Sequence, residues 1–88
     1  MKKVIFTPHA LEKIRLLRKH GFELAPEMVA RWVRKPEKIM RGYRGRLVAH
    51  KGLDEAHVLR IVYEDFEDAI VVVTLYPARR GRYEEGSL

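Results

Sequence analysis

Apolar residues recur along the 88-residue chain first with a helical and then with an extended period, and the change of period sets the order of elements. Lys3 to Phe6 is a short β-prone run that stops at Thr7-Pro8, where Thr is a good N-cap and Pro is preorganised for the first helical position. Ala10, Leu11, Ile14 and Leu17 then recur at helical spacing. His20-Gly21 supplies a terminal cation and a C′ glycine, so the first helix is predicted to run to about residue 20. Ala25-Pro26-Glu27 repeats the start signal, and Met28, Val29, Trp32 and Val33 form a second apolar stripe that Pro36 interrupts. The stripes predict an antiparallel helix pair with a short loop, with Met28 and Trp32 in the core.

Beyond Gly42 and Gly45 the period becomes extended. Leu47 to His50, His57 to Tyr63 and Ala69 to Tyr76 read as three strands rich in Val, Ile and Tyr, joined by the turn-like segments KGLDEA and EDFED. Links this short make consecutive strands antiparallel neighbours. The expected fold is α+β, in the order β-α-α-β-β-β, with two N-terminal helices on one face of a small antiparallel sheet and the other face left for function. Residues 1–88 form one domain in this reading, and residues 84–88 a disordered tail.

Charge sharpens the picture because it is uneven. The net charge is +6, yet residues 31–51 hold eight Lys/Arg against one Asp/Glu while residues 52–69 hold one against six. The basic segment, RWVRKPEKIMRGYRGRLVAHK, interleaves its cations with Trp32 and Tyr43, as a surface that neutralises phosphates and stacks on bases would. Arg41, Arg44, Arg46 and Lys51 are therefore candidate RNA contacts; a solvated helix face and loop would carry the same run. A basic groove beside a sheet edge would also receive an acidic partner segment.

Composition narrows the setting. With no cysteine the chain forms neither a disulfide nor a thiolate metal site, which suits a reducing cytoplasm. The start MKKVIF has only three apolar residues before Thr7-Pro8, far short of a signal-peptide core or a membrane span. The chain has no Asn, no Gln and one Ser beside abundant Lys, Arg and Glu, a bias that predicts a thermophilic source.

Candidate chemistry centres on HVLRIVYE. Alternation sends Leu59, Ile61 and Tyr63 one way and Val58, Arg60 and Val62 the other, which puts a guanidinium in the middle of an apolar strand. Arg60 is either an ion-pair partner of the acidic turns or a phosphate clamp on the helix-free face. Arg79, Arg80 and Arg82 follow the last strand with Tyr83, offering forked donors for phosphate and a ring for a base. General acid or base chemistry near neutrality falls to His9, His20, His50 and His57. His20 reads as a helix C-terminal charge and His9 as a local hydrogen-bonding residue. His50 and His57 flank a hairpin near Arg60; a five-residue loop would put His50 on the face of Arg60, and a six-residue loop would put it on the other. No histidine pair has helical ligand spacing and no carboxylate cluster accompanies them, so neither a metal nor another cofactor is expected.

The segment LRIVYEDFEDAIVVVTLYPARRGRY, residues 59–83, resembles the C-terminal part of RelE/ParE-like toxins: an Arg-x-x-Tyr strand, an acidic turn, an apolar strand, then arginines and a tyrosine. FTPHALEKIRLL is similar to their opening strand and helix, and the F-T-x-H-A … V-T-x-Y-P pattern also resembles an uncharacterised relative of that superfamily. The resemblance implies a RelE-like fold and the toxin component of a toxin-antitoxin system. Such a toxin is a metal-independent endoribonuclease that often cuts messenger RNA on the ribosome and is held inactive by an antitoxin. Arg60 would match the family's strand arginine, one of Arg79, Arg80 and Arg82 the later arginine, and Tyr83 the C-terminal tyrosine. His50 or Lys51 would assist proton transfer. Ribosome-dependent members usually carry a lysine pair in the middle strand, where this chain has Arg44, Arg46, His50 and Lys51. Two other functions fit the resemblance: a ParE-type gyrase inhibitor without catalysis, and a noncatalytic RNA- or protein-binding module.

Overall fold

A computed structural model describes residues 2–81. The elements are β1 (Lys3–Phe6), α1 (Pro8–Lys19), α2 (Pro26–Arg34), β2 (Lys38–Arg41), a 3-10 turn (Tyr43–Gly45), β3 (Leu47–Gly52), β4 (His57–Asp65) and β5 (Ala69–Arg79). Both helix starts lie where the Thr7-Pro8 and Ala25-Pro26 signals predict. The Thr7 hydroxyl accepts the Ala10 N–H at 3.0 Å, and Gly21 takes the left-handed φ of +95° that a C′ position requires. The three C-terminal strands pair as consecutive antiparallel neighbours, as expected.

The expected order is present, with one addition and one correction. The addition is β2, four residues between Pro36 and Gly42 that pair with β3. Glu37 anchors it, because its carboxylate accepts the Gly52 N–H and the Lys51 ammonium, each at 3.1 Å. These two bonds, the Gly52 one foremost, hold the Glu37 carboxyl below its ordinary pKa. The correction concerns the sheet, which is mixed rather than antiparallel. Its order is β1-β5-β4-β3-β2, and β1 lies parallel to β5. The long path through two helices returns the chain so that the first strand runs alongside the last.

One face of the sheet carries the core. Ala10, Ile14 and Leu17 of α1 and Val29 and Val33 of α2 meet Ala49, Leu59, Ile61, Tyr63, Ile70, Val72 and Leu75 from the strands. Trp32 packs against this core half-buried, as its stripe predicted. The helices rest on different strands, α1 on β5 and β1 and α2 on β3.

A β-bulge decides which residues of β5 reach the core. Tyr63 pairs with Val72 but Val62 pairs with Thr74, so Val73 is one residue too many for the ladder. Strict alternation from Val72 would turn Thr74 inward and Leu75 outward. The bulge instead buries Leu75 completely. Burying a leucine is worth about 1.5–3 kcal/mol against about 1 kcal/mol for an unmade ladder hydrogen bond, so the bulged register wins. Thr7 secures it: its N–H donates to the Val72 carbonyl at 3.1 Å and its hydroxyl to the Val73 carbonyl at 2.8 Å. Among the described residues no helix is long and apolar enough to cross a membrane.

Candidate nucleic-acid interface

The register aligns four polar side chains across the helix-free face. Lys38 of β2 pairs with His50 of β3, His50 with Arg60 of β4, and Arg60 with Tyr76 of β5. Paired residues share a face, and neighbouring strands lie about 4.8 Å apart, so this is one continuous row roughly 14 Å long. Five residues separate Gly52 from Val58, which resolves the alternatives for the β3–β4 loop in favour of His50 beside Arg60. Asp54 sets that loop. Its Oδ1 accepts the Ala56 and His57 N–H groups, each at 2.8 Å, and the His57 ring at 3.0 Å. The Ala56 bond foremost, with the His57 contacts, lowers the Asp54 pKa.

Within the row Arg60 is braced by an aromatic ring and His50 is enclosed. The Arg60 guanidinium lies over the Tyr76 ring, 5.4 Å from its centroid, which holds the planar group against the sheet. His50 is only 6% exposed, and its Nε2 is buried without a hydrogen-bond partner. Burial, followed by the positive charges of Arg60 and Lys38, lowers the His50 pKa from its ordinary 6.5. His50 is thus a neutral imidazole at pH 7, between two cations.

Beside this row lies a second, of Gly52, Val58 and Ala78. Because Gly52 has no side chain, the Arg80 guanidinium lies across it; a Cβ there would stand 2.5 Å from Arg80 Nη2. Arg80 is fixed by its Nε donating to the Asp54 carbonyl at 2.7 Å and its N–H to the Ala56 carbonyl at 3.0 Å. Gly52→Ala is therefore expected to swing Arg80 off the face while costing the fold under about 1 kcal/mol, since the displaced atom is the end of a flexible side chain. Chemical denaturation beside RNA-binding titration checks this: binding should fall while the unfolding midpoint holds.

The other candidates are dispersed. Arg41 pairs with Leu47 and so belongs to the helix side. Lys51 also lies there, 5.6 Å from the Trp32 ring centroid and bonded to Glu37. Arg44 sits in the 3-10 turn with a left-handed φ of +58°, its guanidinium 5.9 Å from the centroid of the exposed Tyr43 ring. Arg46 Nε is 3.9 Å from a Glu64 carboxylate oxygen. Arg79 pairs with His57, whose ring meets Phe22 edge-on at 5.5 Å on the helix side. Arg82 and Tyr83 lie outside the described residues. The basic segment 31–51 is thus divided between both faces and the turn.

Lys38 and Tyr76 complete the row although sequence reasoning did not select them. Lys38 followed Pro36 in a stretch without a visible period. Tyr76 faces Arg60 only because of the bulge, since unbroken pairing from Asp65–Ile70 would set Leu75 opposite Arg60. Among the described residues no three His, Cys, Asp or Glu side chains cluster to hold a metal ion. Comparison with protein-family models, curated proteins and solved structures finds no match to the chain.

Proposed function

We propose that the helix-free face binds RNA and cleaves it without a metal ion, as the resemblance to RelE-like toxins implies. The observation that carries this reading is the Lys38–His50–Arg60–Tyr76 row, which joins a neutral imidazole to two cations. In the proposed reaction the ribose 2′-oxygen bonds to phosphorus as the bond to the 5′-oxygen breaks, leaving a 2′,3′-cyclic phosphate and a 5′-hydroxyl. His50 takes the proton of the 2′-hydroxyl, and water supplies one to the departing 5′-oxygen. Arg60 and Lys38 stabilise the charge that grows on the phosphate oxygens, and Arg80 meets the adjoining phosphate. A phosphate between Lys38 and Arg60 offsets the repulsion that, after burial, lowers the basicity of His50. Cleavage is expected to persist in EDTA, as the resemblance implies.

The burial of His50 favours one alternative, a noncatalytic RNA-binding module in which the row holds phosphate and the imidazole only fills space. Incubating the purified protein with end-labelled RNA in EDTA, with and without ribosomes, separates the two. Cyclic-phosphate ends support cleavage; salt-sensitive binding with intact RNA supports the module; neither result would remove both.

A further inference from the structure

A concavity lies on the helix-bearing side of the sheet, where the end of α2 meets β2, β4 and β5. It is a cleft of about 790 Å³, within the range of small-ligand sites. Its floor is apolar, formed by the buried Val33, Tyr63 and Ile70 and by Ile39, which is 53% exposed. Its rim carries Lys2, Arg31, Arg34 and Lys35 against one carboxylate, Asp65. Two of these cations are engaged in building the rim. Arg34 donates through Nε and Nη2 to the Lys2 carbonyl, at 3.2 and 2.9 Å, and the Lys2 ammonium pairs with Asp65. Asp65 is thereby neutralised, and the exposed Arg31 and Lys35 stand at the mouth.

We propose that this cleft binds a small amphiphilic anion, with an aliphatic body over Val33, Ile39, Tyr63 and Ile70 and an acidic head between Arg31 and Lys35. The apolar floor alone would take any greasy molecule; the cationic mouth selects an anionic one. A peptide strand added to the β2 edge fits less well. The edge is four residues long with Lys38 and Arg41 at its ends, a pattern that discourages strand addition. The site shares no residue with the Lys38–His50–Arg60–Tyr76 row and does not depend on the ribonuclease reading.

Isothermal titration of the whole chain with sodium decanoate below its micelle-forming concentration tests the proposal, with decylammonium as the cationic control. Decanoate is expected to bind and decylammonium not to. Arg31→Ala with Lys35→Ala should weaken decanoate about tenfold, the scale of two exposed charge contacts, and Ile39→Asp should abolish binding. Arg15→Ala with Lys19→Ala, which removes equal charge from α1, should leave it unchanged. Phosphatidylglycerol vesicles distinguish a lipid head from a free acid: binding to decanoate alone identifies a free anion, and binding to both a membrane-borne one. The proposal is overturned if decanoate fails to bind, if decylammonium binds equally, or if the α1 pair weakens binding as much as the cleft pair. It also fails if an alternating Glu-Leu decapeptide binds in the cleft and decanoate does not.

Discussion

Arg60→Ala is expected to lower RNA cleavage about a hundredfold or more, the loss typical of removing one preorganised donor aimed at developing charge. Arg60 is central to the row, with His50 and Tyr76 as its direct cross-strand neighbours and the Tyr76 ring beneath its guanidinium. The fold is expected to survive. Arg60 is partly buried, and an aromatic contact of this kind is worth about 0.5–1 kcal/mol, so loss of that contact should change the unfolding free energy by about 1 kcal/mol. Lysine in its place should rescue little, because a point charge neither lies flat on Tyr76 nor gives two parallel bonds to phosphate. Single-turnover cleavage and urea denaturation of the three proteins check this. Unchanged cleavage with a large loss of stability would make Arg60 a structural residue.

The second large effect concerns His50. If it is the base, His50→Gln should cut cleavage by about 10²–10⁴-fold, and the rising limb of the wild-type kcat/KM profile, which reports the free protein, should lie below the ordinary imidazole value of 6.5. The same displacement acts on stability. The folded-state pKa is lowered, so below pH 6.5 the unfolded chain binds a proton at this position before the folded protein does. Wild-type stability should therefore fall as the pH drops from 6.5 through the folded pKa. The Gln variant, of similar volume and without this titration, should lose that component of the acid sensitivity. Thermal melts at pH 5, 6 and 7 for both proteins provide the measurement. A module that only binds RNA would show the stability effect without a cleavage effect, which makes the two readings separable.

How far the sequence disclosed this site depends on what each feature rests on. The helices were legible because Thr7-Pro8, Ala25-Pro26 and Gly21 act locally, through a cap bond or a permitted φ. Arg60 was legible as a charge in an apolar strand. Its partners were not, because cross-strand neighbours are set by loop length and by a bulge chosen through the burial of Leu75, 15 residues away in sequence. Strand β2 escaped notice because four residues are too few to display a period and its anchor, Glu37, bonds 15 residues ahead. The acidic turn EDFED did carry a pairing role, but Asp65 of that segment pairs with Lys2 rather than Arg60. The basic run was counted correctly and placed poorly: alternation put Lys38 and Arg41 on opposite faces, a division that charge totals along a chain do not contain.

The parallel pairing of β1 with β5 sets a schedule for the birth of the molecule. Thr7 bonds to a carbonyl 66 residues later, and among the described residues β5 is the one strand beside β1. At 5–20 residues per second, a ribosome needs roughly 3 to 13 s between making the two. Throughout that interval α1 can form, but the strand before it has no ladder to join and the apolar stripe of the helix lacks most of its floor. The antiparallel hairpins can zip locally and early, whereas the closure that buries Ala10 and Ile14 waits for a distant pairing. Residues 1–12 are thus protected from proteases and chaperones later than the hairpins, although they are made before them.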